Sequence, residues 1–227
     1  MLSKYEWSGL KNLIAIKAVK ADPLPSTYQR YDWLLLTGHN AKIDTGVSGA
    51  NSALKIVFDC MMLSNGTYGS YYGIFGNATS GKKYWVMRRP AQSDDSSVTK
   101  WMVCLGNTGS QTVVAPYGAE TLLDKKTNYV FEYGKVIANG VVVTSAESSE
   151  AAYDGNIMIG TTSSTSSGIA LSQSRIWGFK MWNGEELVRD YIPCVRKSDS
   201  KAGFYDLVNG TFNPSIGSAE FVAGMDA

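Results

Sequence analysis

The string Gly76-Asn77-Ala78-Thr79-Ser80-Gly81-Lys82 fills the first seven positions of a phosphate-binding loop, yet Lys83 stands where magnesium needs a hydroxyl. Such loops work because amides at a helix N-terminus cradle phosphate. Here Lys83–Arg88 reads as a strand, so the string is expected to be a hairpin loop and nucleotide binding is rejected. Paired carboxylates would serve a glycosidase, one acid protonating the leaving oxygen and the other attacking the sugar or activating water. Sandwich glycosidases carry E-x-D-x-x-E on one strand. Glu147-Ser148-Ser149-Glu150 lacks the middle acid, and the neighbours Glu185 and Glu186 point to opposite faces. Serine-hydrolase chemistry lacks G-x-S-x-G and has His39 as its sole base. Cys60, Cys104 and Cys194 are odd in number and widely spaced, with no C-x-x-C pair. They read as buried free thiols rather than as a disulfide framework, a zinc site or a Cys/His nucleophile. No catalytic residue and no metal ligand is assigned.

Aromatic side chains are the remaining constellation. Tyr68, Tyr71 and Tyr72 surround small residues in a Gly- and Asn-rich stretch, with Tyr84, Trp85, Arg88, Arg89 and Trp101 nearby in sequence. Sugars dock on exposed aromatic faces beside a polar group. Tyr68, Tyr71, Tyr72 and Arg88 are therefore the candidate ligand-binding residues, while Trp85 and Trp101 are expected in the core. The three N-x-T strings at Asn65, Asn77 and Asn209 read as turns.

These residues need elements to hold them. Residues 1–21 place Leu10, Leu13, Ile14 and Ala18 at helical spacing, with Ser8 as a cap and Lys4, Lys11, Lys17 and Lys20 outweighing Glu6. That predicts a short basic amphipathic arm whose Leu10, Leu13, Ile14 and Lys17 would dock on a partner. Pro23 and Pro25 mark a linker over 22–27. From 28 to 227 short strands alternate with turn residues, the pattern of an all-β antiparallel sandwich. Expected strands include Tyr31–Leu36, Ala53–Met61, Lys83–Arg88, Thr99–Leu105, Asn128–Tyr133, Lys135–Thr144, Asn156–Gly160, Ser174–Trp182, Glu186–Pro193 and Gly203–Val208. Asn183-Gly184 and Asn209-Gly210 are expected hairpin turns. Over Ser174–Trp182 the pattern assigns Trp177, Phe179 and Met181 to the core and leaves Arg175 and Lys180 outside it. Replacing Trp177 with Ala would then cost about 3–5 kcal/mol. The polar run Thr161–Gly168 reads as a loop.

Bulk composition narrows the function classes. The chain has 227 residues, 44% hydrophobic and 18% charged, with 23 Gly and 13 Tyr, which suits one large globular domain of many strands and Gly-rich turns. A net charge of +1 supplies no global field to draw it onto nucleic acid or an anionic membrane. The apolar run Leu13–Ile16 is broken by Lys17, which spoils it as a signal-peptide core. Synthesis in the cytoplasm without a signal peptide is the expectation.

Two stretches carry a family resemblance. The opening Tyr31-Asp32-Trp33-Leu34-Leu35-Leu36, with its turn and the motif Ile43-Asp44-Thr45-Gly46, resembles laminin-G-like, concanavalin A-like domains of phage and prophage structural proteins and gut-bacterial surface proteins. The closing segments Arg175–Gly184, Leu187–Lys197 and Gly203–Gly210 look like the closing hairpins of that family. The resemblance implies a concanavalin A-like jelly roll. It also implies a non-catalytic, virion-associated accessory module, decorating a head or tail and binding host or mucosal glycans, exposed on the virion surface after lysis. The alternatives are a glycan hydrolase on the same fold and a bacterial surface adhesin domain. Expected partners are other virion proteins, or copies of itself, through residues 1–21. No cofactor is assigned: some laminin-G relatives use acids for Ca²⁺, but Asp44, Asp190 and Asp206 form no ligand string and are expected to satisfy turns or to pair with Arg189 and Arg196.

Overall fold

The computed structural model describes residues 22–37, 41–49, 53–63, 72–79, 82–89, 101–104, 113–114, 124–132, 135–145, 155–161 and 174–226. Among them every regular element is a strand. In chain order these are β1 (Tyr28–Arg30), β2 (Trp33–Leu36), β3 (Ile43–Ser48), β4 (Leu54–Met62), β5 (Tyr72–Thr79), β6 (Lys82–Arg89), β7 (Trp101–Cys104), β8 (Val113–Val114) and β9 (Thr127–Glu132). They continue as β10 (Lys135–Ala138), β11 (Val141–Ser145), β12 (Asn156–Ile159), β13 (Ser174–Asn183), β14 (Glu186–Arg196), β15 (Lys201–Asp206), β16 (Thr211–Pro214) and β17 (Phe221–Gly224). The arm at 1–21 lies outside the described residues.

Two antiparallel sheets form the expected sandwich. The larger runs β11-β10-β9-β4-β13-β14-β15-β16, with β2 beside the first half of β13, β17 beside β2, and β1 beside the end of β14. The smaller runs β3-β12-β5-β6-β7-β8. Alternation decides which side of each strand is buried. Leu54, Ile56, Phe58 and Cys60 of β4 all point inward, as do Tyr129 and Phe131 of β9. At the centre Phe75 of the smaller sheet inserts among Phe58, Phe131 and Phe179 of the larger, at ring-centroid distances of 5.3, 4.7 and 5.9 Å. Edge-on aromatic contacts of this kind add to the free energy of burial.

The two motifs that carry the family resemblance meet in a polar clamp between the sheets. Asp206, 1% exposed, accepts hydrogen bonds from the Asp190 and Val208 amides and from Asn209 Nδ2. Arg189 lies 3.6 Å from its carboxylate and donates from Nε to the Thr45 carbonyl of β3 at 2.8 Å. Thr45 in turn donates its hydroxyl to the Ile157 carbonyl, and Asp44 caps its own turn by accepting from the Gly46 amide at 2.8 Å. Gly46 has φ +66°, and a Cβ there would sit 3.2 Å from the Arg189 guanidinium. A buried carboxylate is tolerable only when it is paired and fully hydrogen-bonded, and Asp206 is both. Asp206 therefore pairs with Arg189 as expected, whereas Asp190 pairs with Lys180 and Arg196 with Asp199.

Three expectations about strands and turns are corrected. Lys135–Thr144 is two strands, because Asn139 (φ +48°) and Gly140 (φ +80°) make a two-residue turn between β10 and β11. In the β13–β14 hairpin the residues flanking the loop are Asn183 and Glu186, so Gly184 (φ +60°) is the first loop residue and Asn183 still belongs to the strand. Positive φ at the first loop position alone is the type II′ pattern, which demands Gly there. The third correction concerns Trp177 and defines the candidate site.

Candidate functional site

A regular strand cannot bury Trp177, Phe179 and Met181 while exposing Arg175, because 175 and 177 share a face. The chain resolves the conflict with a β-bulge. Against β4 the register runs Ile176 to Cys60 and then Gly178 to Asp59, so Trp177 and Gly178 together oppose one residue. Before the bulge Ser174 and Ile176 face the core; after it Phe179 and Met181 do. Trp177 is the extra residue, and it turns to the outer face, where it is half-buried rather than packed inside. Gly178 suits the bulge because even a Cβ would meet the Tyr191 carbonyl at 3.3 Å.

Polar groups from strands β4, β9, β13 and β14 and from the segments flanking β9 and β17 surround the indole. Its Nε1 donates to the Asp226 carboxylate at 2.8 Å, and the Lys126 ammonium lies 4.6 Å over the ring. On one side, Asn128 Nδ2 of β9 donates to Asp59 Oδ1 of β4 at 2.7 Å, and Lys126 is 3.7 Å from the other Asp59 oxygen. On the other side, Lys180 of β13 donates to Asp190 of β14 at 2.9 Å. The indole stands between two clefts. One of about 230 Å³ is lined by Val57, Asp59, Asn128, Trp177 and Lys180. The other, of about 700 Å³, is lined by Trp177, Lys180, Asp190, Arg30, Asp22 and Leu207. Tyr191, beside Asp190 in the chain, turns its ring the other way, into the core against Phe179 and Phe204, where burial first and the Asp206 charge second push the phenol up to about 12.

An indole face beside fixed carboxylate, amide and ammonium groups is chemically suited to rings that carry both C–H faces and hydroxyls. The carboxylates here are tied to lysine, asparagine or the indole N–H, which orients them as acceptors. A third cleft, of about 690 Å³, lies near Tyr31, Lys197 and Lys201, but Lys197 is tied to the Ser26 carbonyl at 2.7 Å and Lys201 to Glu220 at 3.9 Å. That cleft has no tryptophan.

Of the residues singled out from sequence, Tyr72 opens β5 opposite Arg89, and Arg88 lies in β6 opposite Gly73 and Met102. The two therefore sit on adjacent strands of the smaller sheet. Tyr68 and Tyr71, and Leu10, Leu13, Ile14 and Lys17 of the arm, lie outside the described residues, as does His39. Of the string expected to be a hairpin loop, Gly76–Thr79 belong to β5 and Lys82 opens β6 opposite Thr79, so these residues are strand rather than loop; Ser80 and Gly81 lie outside the described residues. Among the described residues no group of three or more His, Cys, Asp or Glu could hold a metal ion. Burial pushes the Cys60 and Cys194 thiols up to about 12. The Trp177 face was missed because strict alternation was applied through Gly178. A glycine inside a strand, next to an apolar pattern that alternation cannot satisfy, is the signal that marks the bulge.

No family model matches the chain, and no curated protein sequence matches it. Among solved structures, a Trypanosoma rangeli sialidase in complex with 2,3-difluorosialic acid is similar at 13% identity over 69% of this chain and 26% of that one, with a TM-score of 0.44. The same organism's sialidase with sialic acid is similar at 15% identity over 57% and 20%, with a TM-score of 0.39. The heptameric SAP-like pentraxin of Limulus polyphemus is similar at 11% identity over 87% and 90%, with a TM-score of 0.46. The chain spans about a quarter or less of the sialidase chains it matches. Similarity at this level carries no argument about activity.

Proposed function

We propose that this chain is a non-catalytic binding module whose outer face, centred on Trp177, takes saccharides. The observation that carries the reading is the bulge at Trp177-Gly178, which turns a tryptophan to the outer face, where it lines both clefts, while Ile176, Phe179 and Met181 of the same strand stay buried. A half-buried indole flanked by oriented polar groups on both sides suits a ring with apolar faces and polar edges. Binding rather than hydrolysis is favoured by the pairing of the nearby carboxylates. A glycosidase acid must be protonated by burial or by a like charge, whereas Asp59 and Asp190 each face a lysine.

The finer reading follows the sequence resemblance: a concanavalin A-like, laminin-G-like module decorating a phage head or tail, attached through the basic arm at 1–21. A glycan array read with the native chain and with Trp177→Ala tests the core of it. Binding should be present in the first and lost in the second, with both chains folded. An array blank with the native protein would remove the saccharide reading.

A further inference from the structure

The charge balance and the orientation of the two clefts together narrow the ligand. The cations bordering the clefts are Lys126, Lys180 and Arg30, and each already has a carboxylate: Asp59 at 3.7 Å, Asp190 at 2.9 Å and Asp22 at 3.6 Å. Asp226 on the indole N–H adds a further negative charge. An acidic ligand would therefore have to displace a carboxylate from its partner, or lie beside one, and like-charge contact is unfavourable. Hydroxyls meet no such barrier, since each ion pair offers them both a donor and an acceptor.

The clefts also run across the strands. The smaller lies over β9, β4 and β13, and the larger continues over β13 and β14 to Arg30 of β1. Adjacent strands are about 4.8 Å apart, so the path from β9 to β14 is roughly 14 Å long. That is longer than a single sugar ring, and Trp177, on the third of these four strands, borders both clefts.

Resting on the saccharide reading above, we infer that this face binds an uncharged stretch of glycan more than one ring long, laid across the strands over Trp177, rather than a terminal acidic sugar. The two clefts act as subsites on either side of the indole. Asn128 and Asp59 serve one, and Lys180 and Asp190 the other.

The test is calorimetric titration of the full chain with neutral gluco-, manno- and xylo-oligosaccharides from one ring to about six. Sialyllactose and oligogalacturonate serve as acidic probes, in about 50 and about 500 mM NaCl. One neutral series should tighten by at least about tenfold from one ring to three and then level off, with less than about a twofold change between the two salt concentrations. Asn128→Ala should weaken the three-ring member by at least about fivefold, while the melting temperature falls by no more than the few degrees expected for its lost hydrogen bond to Asp59. A monosaccharide bound as tightly as the trimer, or acidic probes bound with a steep loss in salt, would overturn the inference while leaving saccharide binding intact. Failure of every saccharide, neutral or acidic, would sink the saccharide reading and this inference with it.

Discussion

Phe179→Ala and Trp177→Ala, two residues apart on one strand, should differ sharply in cost. Phe179 is fully buried and touches Phe58 and Phe75 at centroid distances of 5.3 and 5.9 Å, so its truncation leaves a cavity where the two sheets meet. Such a deletion costs about 3–5 kcal/mol. Trp177 leaves no cavity. Its truncation removes one hydrogen bond to Asp226 and one ammonium–indole contact with Lys126, together about 1–2 kcal/mol at this half-buried position on the outer face. For a chain of this size 1 kcal/mol moves the melting temperature by roughly 2–4 °C. Phe179→Ala should therefore fall by about 6–20 °C and Trp177→Ala by about 2–8 °C. Urea unfolding followed by far-ultraviolet circular dichroism, which does not depend on the indole signal, gives both free energies at an unchanged m-value. If Trp177→Ala costs as much as Phe179→Ala, the bulge does not turn the indole outward and the proposed binding face has no centre.

Arg189→Met should cost about 2–5 kcal/mol because it strips the ion-pair partner from the buried Asp206, and the double variant with Asp206→Asn should recover part of that in a double-mutant cycle. Gly160→Ala should cost clearly more than Gly140→Ala in thermal melts: both have positive φ, but only at Gly160 would the new Cβ fall 2.1 Å from a backbone oxygen, that of Ala41. In a Cys104→Ser background, Cys60 and Cys194 should resist a thiol reagent at pH 8 until the chain is unfolded. The same thiols make stability fall with alkali: the unfolded chain ionises them from about pH 9 while the folded chain holds its protons to about 12, so urea midpoints should decline across that window. Deleting residues 1–21 should leave the melting temperature unchanged and abolish self-association or co-sedimentation with virions, measured by light scattering and pelleting. An unfolded truncation product would show that the arm belongs to the domain.

Local chemistry made much of the sandwich readable in advance. Period-two alternation with Gly and Asn punctuation placed β4, β9, β13, β14 and β15 within a few residues, since a strand half-buried against a partner sheet must carry that pattern whatever its partner is. The same logic dismissed Gly76–Lys82 as a phosphate loop, because no helix could follow it. The charge balance, too, is a property of composition alone. What tertiary structure decided is where alternation breaks. Whether Trp177 faces in or out depends on the residue that opposes it, Asp59 on β4, more than a hundred positions away. Likewise, Asp206 and Arg189 could be expected to pair, but only the packing of one sheet edge on the other brings them to the Thr45 carbonyl. The clefts beside Trp177 arise where the β13–β14 hairpin lies beside β4 and β9, which come from far earlier in the chain, and no spacing along the chain records such an arrangement.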